Sequence, residues 1–358
     1  MPVCLDQNYA TDSRAVRAKL LRAKPPAEFQ ERSSECISIG LINNMPDGAL
    51  DATEHQFLSL LELASKDILV RLSFHALPNV PRNELGARHV SKFYSSTENL
   101  RGKKLDGLIV TGREPLTPNL RNEPYWESLT EVVEWAKDNT YSTIWSCLAA
   151  HAAVLHMDGI GRVKSDEKHC GVFACECLSD HQLIADAPSS FNLPHSRWNG
   201  IPEDALTSCG YSVLTRSADV GVDTFIKQYK SLFVFFQGHP EYESDTLLLE
   251  YRRDIGRYLR GETNTYPLMP QSYFDYRTTT ALKALQNKAV SFRYEKLLAV
   301  STATCGLRIA NTWQSTAICI YRNWLEYICA QKQLRSKQIR LSYQQSRNPS
   351  WPDERLNS

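Results

Sequence analysis

The sequence predicts an α/β fold built on a mostly parallel sheet with helices on both faces. Three observations carry this. Apolar runs at 36–42, 68–74, 105–111, 142–146 and 232–236 have the length and continuity of strands buried on both faces. Amphipathic stretches of helical period separate them, at 53–64 and 125–137. Turn-forming residues close several runs, as in Asn43-Asn44-Met45-Pro46-Asp47-Gly48 and at Gly112. Such alternation joins parallel strands through crossover helices.

The elements follow in order. Residues 1–34 are polar and mixed in charge and are expected to form a mobile arm with one short helix near 14–21. An α/β domain spans 35–262. Its first strand, 36–42, runs into the 43–48 loop, and the 53–64 helix places Phe57, Leu60, Leu61 and Ala64 on one face. The 68–74 strand precedes a polar stretch, 76–105, of loop plus a short helix. The 105–111 strand and the 125–137 helix come next, the latter with Trp126, Leu129, Val132, Val133 and Ala136 at helical spacing. After the 142–146 strand, residues 161–200 read as loop-rich with a strand at 171–173. Short antiparallel strands are expected at 211–216 and 223–227, then the 232–236 strand and a 245–259 helix. A Pro- and Tyr-rich linker occupies 263–276. Helices at 278–289 and 312–332 complete a C-terminal extension, 263–333, packed on the core, and 334–358 reads as a flexible tail.

Composition bounds the function. With 358 residues, 42% hydrophobic and 23% charged, the chain can bury a core without disulfides. A net charge of +1 provides no global field for nucleic acid or anionic lipid. No apolar run approaches the roughly 20 residues that span a bilayer. The N-terminus has no basic region followed by an apolar stretch, so a cytoplasmic location is expected, with the ten cysteines reduced. The cluster His169-Cys170, Cys175 and Cys177 lacks the paired spacing of a zinc ribbon, and no metal site is assigned to it.

The chemistry centres on Cys147, where an apolar strand meets the small-residue helix Leu148-Ala149-Ala150-His151-Ala152-Ala153. A second apolar strand runs into Gln237-Gly238-His239-Pro240-Glu241. Thiol, imidazole and carboxylate therefore all lie where parallel strands end, the place where such sheets bind ligands. A helix N-terminus and a nearby histidine both favour a thiolate. Glu241 is placed to fix the His239 tautomer as the third member of a triad. A strand-to-helix turn would aim the Leu148 N–H at a developing oxyanion. The flanking residues at the elbow are Trp145 and Ala149 rather than glycines.

These residues and others in the same order resemble the homoserine O-succinyltransferase family. The matching pieces include Asn44-Met45-Pro46, Thr53-Glu54 with Gln56-Phe57, and Asp106 to Gly112. They continue through Tyr125-Trp126, Ser142 to Cys147, Pro194-His195-Ser196-Arg197, Gly238 to Tyr242 and Arg253-Asp254. Trp313 and Asn323-Trp324-Leu325 resemble its C-terminal helix, and the likeness covers about 36–331. It implies a class I glutamine-amidotransferase-like, flavodoxin-like three-layer fold, and acylation of the homoserine hydroxyl in methionine synthesis by a ping-pong mechanism. Cys147 would carry the acyl group from acyl-CoA, the co-substrate, with no further cofactor. His239 would be the base and Glu241 its orienting partner. Lys168, Ser196 and Arg253 would bind the amino acid, where a cation suits its carboxylate. The family also implies a homodimer.

Two departures bear on the site. The loop after Pro46 usually continues with lysines, one of which lines the oxyanion hole. Here it reads Asp47-Gly48-Ala49-Leu50-Asp51, and a backbone N–H of this loop becomes the candidate second donor. After Thr111-Gly112 the family has Ala-Pro and then a donor-discriminating residue, glycine for succinyl-CoA or glutamate for acetyl-CoA. Here Arg113-Glu114-Pro115-Leu116 follows, with Leu116 at the discriminating position. Arg113 suits a succinyl carboxylate and Glu114 would repel one, so both donors stay open, as does serine as acceptor. A glutaminase and a non-catalytic homologue are the competing readings.

Overall fold

The computed structural model describes residues 2–5, 32, 35–291 and 309–347; the helix expected near 14–21 lies outside them. The strands are β1 (Val3–Leu5), β2 (Ile37–Ile42), β3 (Val70–Ala76), β4 (Ser95–Ser96), β5 (Gly107–Val110), β6 (Ser142–Ser146), β7 (Val163–Cys177), β8 (Ser190–Gly200), β9 (Ser212–Val213), β10 (Thr215–Ser217), β11 (Gly221–Val222), β12 (Thr224–Gln228) and β13 (Leu232–Phe236). The helices used below are α1 (Leu50–Ser65), α2 (Glu84–Phe93), α3 (Trp126–Asn139), α4 (Leu148–Asp158), α5 (Glu203–Ser208), α6 (Thr246–Leu259), α7 (Tyr276–Ser291) and α8 (Gln314–Arg347).

The main sheet runs β1-β3-β2-β5-β6-β13-β12-β9, with β4 added to β3. Its pairs are parallel from β1 through β13, and only the β13–β12–β9 edge is antiparallel. Alternate strand residues feed two cores, as the pleat requires. Ile39, Leu41, Ile109, Ile144 and Val234 pack with Phe57 and Leu61 of α1 and with Tyr321, Trp324 and Ile328 of α8. Leu108, Val110, Trp145, Phe233 and Phe235 pack on the other face with Val132 and Val133 of α3 and with the alanines of α4. The result is three layers, helices on both faces of a mostly parallel sheet. Each fully buried side chain of this size stabilises the fold by about 1.5–3 kcal/mol.

Four segments differ from expectation. Residues 161–200 form a long antiparallel hairpin, β7–β8, joined by β10 and β11 in a second sheet. Its exposed outer end carries little hydrophobic pattern; the strand expected at 171–173 lies within β7, and Pro194 lies within β8. Pro194 is tolerated because the facing Val172 N–H points away from β8, to Gln271 O (2.9 Å). Gly171 is required because Gln271 passes so close that a Cβ would lie 2.5 Å from its backbone. At the chain start, Val3–Leu5 is an edge strand paired with Val70–Leu72 in the segment read as an arm. The last helix continues to Arg347, through the first part of the segment read as a tail. The 211–216 strand is split: β9 joins the main sheet and β10 the second.

Candidate active site

Cys147 stands between β6 and α4 with φ 51° and ψ −113°, in the sparsely populated left-handed half of backbone space. The turn is pinned on both sides. Its N–H donates to Phe236 O on the neighbouring strand (2.7 Å), and its carbonyl accepts from the N–H groups of Ala150 (3.0 Å) and His151 (3.3 Å). The strained turn lifts the thiol off the sheet edge and leaves it partly exposed.

His239 follows β13, which pairs in parallel with β6, so the two strand ends carry imidazole and thiol side by side. His239 Nδ1 lies 2.8 Å from Glu241 Oε1, and both side chains are nearly buried. Ser146 Oγ donates to the same carboxylate oxygen at 3.3 Å. Burial opposes a charged imidazole. The charges of Glu241 and Cys147, and hydrogen bonds to both, outweigh it and raise His239 well above the ordinary histidine range. With Nδ1 given to Glu241, the other ring nitrogen is the one available to the thiol.

A small cleft opens at Leu148, next in sequence to the cysteine, lined among others by Asn44, Gly112, Arg113, Glu123 and Tyr125. A Cβ on Gly112 would lie 2.6 Å from the Leu148 nitrogen and 2.9 Å from that of Ala149. The glycine thus leaves room in front of the first, unpaired N–H groups of α4. Arg113 lines the cleft with Nε and Nη1 buried and without a protein partner. Leu116 is 53% exposed and is not part of the cleft lining; its N–H donates to Glu123 Oε1 (2.7 Å). Residues 44–46, which lead into the Asp47–Asp51 loop, have no free backbone N–H. Asn44 N–H is taken by Thr111 Oγ1 (2.8 Å), Met45 N–H by Asn43 Oδ1 (3.2 Å), and Pro46 has none. Arg82, which the sequence reading passed over, braces this loop through Met45 O, Asn43 O (3.3 Å) and Asp47 (3.2 Å).

Lys168, Ser196 and Arg253 come from β7, β8 and α6, and two carboxylates of α6 gather them. Ser196 Oγ donates to Glu250 Oε2 (2.5 Å), Lys168 Nζ to Asp254 Oδ2 (3.2 Å), and Arg253 Nε to Asp254 Oδ1 (2.8 Å). Burial opposes the charge of Lys168, but Glu250 and then Asp254 raise it. Glu250 and Asp254 were missed in the sequence; their i, i+4 spacing on one helix face was the available signal. Arg162 was missed too. It opens the hairpin and donates to Pro118 O (3.1 Å), and burial lowers its pKa despite Glu123, Tyr125 and Cys147 nearby.

Two groups of metal-ligand type occur among the described residues, Cys175-His195-Asp223 and Asp51-Glu54-His89. In both, the groups engage one another or their neighbours. Asp223 accepts hydrogen bonds from Thr215, Thr224 and Gly238, and His89 lies 2.6 Å from Glu54 and 3.4 Å from Asp51.

The fold and site define the class: an α/β enzyme with its candidate centre at the carboxyl ends of a parallel sheet. A family model described as homoserine O-succinyltransferase matches residues 2–335, and the chain belongs to that family. The homoserine O-succinyltransferase of Rhodopseudomonas palustris is 47% identical over 82% of this chain and 88% of its own length. That of Methylorubrum extorquens is 45% identical over 82% and 87%. A solved glutamine amidotransferase of Methylobacillus flagellatus aligns over 82% of this chain and 95% of its own, at 14% identity and a TM-score of 0.46. No described helix is long and apolar enough to cross a membrane.

Proposed function

We propose that the protein transfers a succinyl group from succinyl-CoA to the hydroxyl of L-homoserine through a thioester on Cys147, a step of methionine biosynthesis. The observation that carries the reading is the 2.8 Å His239–Glu241 pair at the end of the strand beside the one that delivers Cys147 on a strained strand-to-helix turn.

In the first half-reaction the Cys147 thiolate attacks the thioester carbonyl. The Leu148 N–H donates to the oxyanion, and the coenzyme A sulfur leaves with the proton of the His239 imidazolium. In the second, His239 takes the homoserine hydroxyl proton as the oxygen attacks the acyl group. The Cys147 thiolate departs and again faces an imidazolium. Glu241 holds the ring by Nδ1 throughout.

Lys168, Ser196 and Arg253 bind the amino and carboxylate ends of homoserine, with Glu250 and Asp254 as the acidic counterparts for the ammonium. Arg113 reads the distal carboxylate of the donor, since two of its buried donors await an acceptor. Leu116, exposed and outside the cleft lining, is left without a part in donor choice. We extend the proposal to a homodimer, which the family resemblance implies, and to a cytoplasmic location, which the N-terminal sequence suggests. The purified protein with succinyl-CoA and homoserine is expected to release coenzyme A and O-succinylhomoserine. Absence of coenzyme A release with succinyl-CoA or acetyl-CoA would overturn the reading.

A further inference from the structure

The turn carrying His239 is fixed by groups that lie outside the triad. Three consecutive N–H groups are captured in order. Gln237 N–H donates to Asp223 O (2.9 Å), Gly238 N–H to Asp223 Oδ1 (3.0 Å), and His239 N–H to Pro194 O (2.8 Å). Asp223 is fully buried, and its Oδ2 accepts from Thr215 Oγ1 (3.0 Å) and Thr224 Oγ1 (2.7 Å). His195 Nε2 faces Asp223 Oδ1 at 3.3 Å, and Arg197 Nε donates to His195 Nδ1 at 3.3 Å. The Arg197 bond makes Nδ1 the acceptor, so the proton of a neutral His195 sits on Nε2, near Asp223 Oδ1 but not aligned for a hydrogen bond. Burial, then the Arg197 charge, pushes His195 well below the ordinary range and keeps it neutral. Gly238 leaves no slack: a Cβ would lie 2.6 Å from Asp223 Oδ1 and 3.0 Å from His195 Nε2.

We propose that Asp223 is a positioning residue for the transfer reaction: its carboxylate, held by two threonines, sets the turn that aims His239 at Cys147. The inference rests on the proposed role of His239 as the base. A buried carboxylate that accepts three hydrogen bonds is hard to displace, so the Gly238 N–H has one place to be. A change of about 1 Å in a reacting group can cost about 10²-fold in rate, which is the leverage such a residue has.

The test is single-turnover acylation of Cys147 by succinyl-CoA, followed by intact mass, across a pH series. Asp223→Ala is expected to slow acylation about 10²-fold while homoserine binding, read by calorimetry, stays within a factor of about two, a split that general destabilisation would not give. The alkaline limb of the acylation profile should move to lower pH, because a displaced ring loses contact with Glu241 and Cys147. Tyr242 stacked on it and His195 behind it are unchanged in the variant. Asp223→Asn, which keeps an oxygen for Gly238 N–H, should recover most of the lost rate. Should Asp223→Ala not fold, Gly238→Ala decides: its methyl pushes the turn off the carboxylate and should slow acylation similarly. Wild-type acylation rates in Asp223→Ala, or in Gly238→Ala where the first does not fold, would overturn the inference and leave the proposed function standing. A wild-type protein that never acylates would overturn both.

Discussion

Tyr242 lies flat on His239, ring centroids 4.2 Å apart and planes 17° from parallel, and its hydroxyl donates to Glu250 Oε1 at 2.6 Å. One side chain thus joins the triad to the cluster proposed to bind homoserine. Burial, then the Glu250 charge, raises the phenol well above its usual range, so it remains a donor at any working pH.

That link separates the two half-reactions. Tyr242→Phe keeps the stack and removes the bond to Glu250, and Lys168→Met removes a cation paired with Asp254. Both should raise the KM for homoserine by about 10–100-fold, as expected for the loss of one charge-assisted hydrogen bond each. Single-turnover acylation by succinyl-CoA should stay near the wild-type rate. Parallel losses in both steps would count against the assignment.

Glu241 contributes the largest favourable charge to His239. Glu241→Gln should lower the His239 pKa, move the alkaline limb of kcat/KM to lower pH, and reduce the rate on the order of 10²-fold. The stability effect has a defined sign. A raised folded pKa means that the stabilisation is complete below about pH 6.5 and fades as pH rises through the folded value. Denaturant melts should therefore show a larger deficit for Glu241→Gln at about pH 6 than in alkali.

Gly112 is predicted to be intolerant of a methyl group, because the added carbon would stand 2.6 Å from the Leu148 nitrogen. Gly112→Ala should reduce kcat by about 10²–10³-fold, the range for a lost oxyanion donor, while succinyl-CoA binding changes little. A kcat within a factor of about three of wild type would move the oxyanion elsewhere.

Arg113→Leu should reduce the preference for succinyl-CoA over acetyl-CoA by about 10–100-fold, the loss of a charge-assisted pair in a buried cleft. Leu116→Ala, half-exposed and outside the cleft lining, should leave that ratio unchanged. Competition between the two donors, read as products, checks both.

The sheet was legible because β2, β5 and β13 are mostly apolar runs and β6 joins Ile144 and Trp145 to small hydroxyl residues, and the junctions after β6 and β13 carried Cys147 and His239 on their face. The second sheet was not. β7 starts exposed, β8 contains Pro194, and both depend on pairing across sequence rather than on local pattern. β1 is three residues long and exists because β3 offers a partner edge. Resemblance supplied Lys168, Ser196 and Arg253, but the carboxylates that gather them needed coordinates. So did Asp223, whose proposed role runs through a backbone N–H, whereas Arg113 stood in the sequence as a candidate for the succinyl carboxylate and the structure adds that its Nε and Nη1 are buried.

The most direct test of the account is the mass of the intact protein after brief mixing with succinyl-CoA. One succinyl group is predicted, mapped to Cys147, absent in Cys147→Ala and discharged by homoserine as O-succinylhomoserine. Product formation by Cys147→Ala at the wild-type rate, or turnover with no covalent adduct on Cys147, would contradict it.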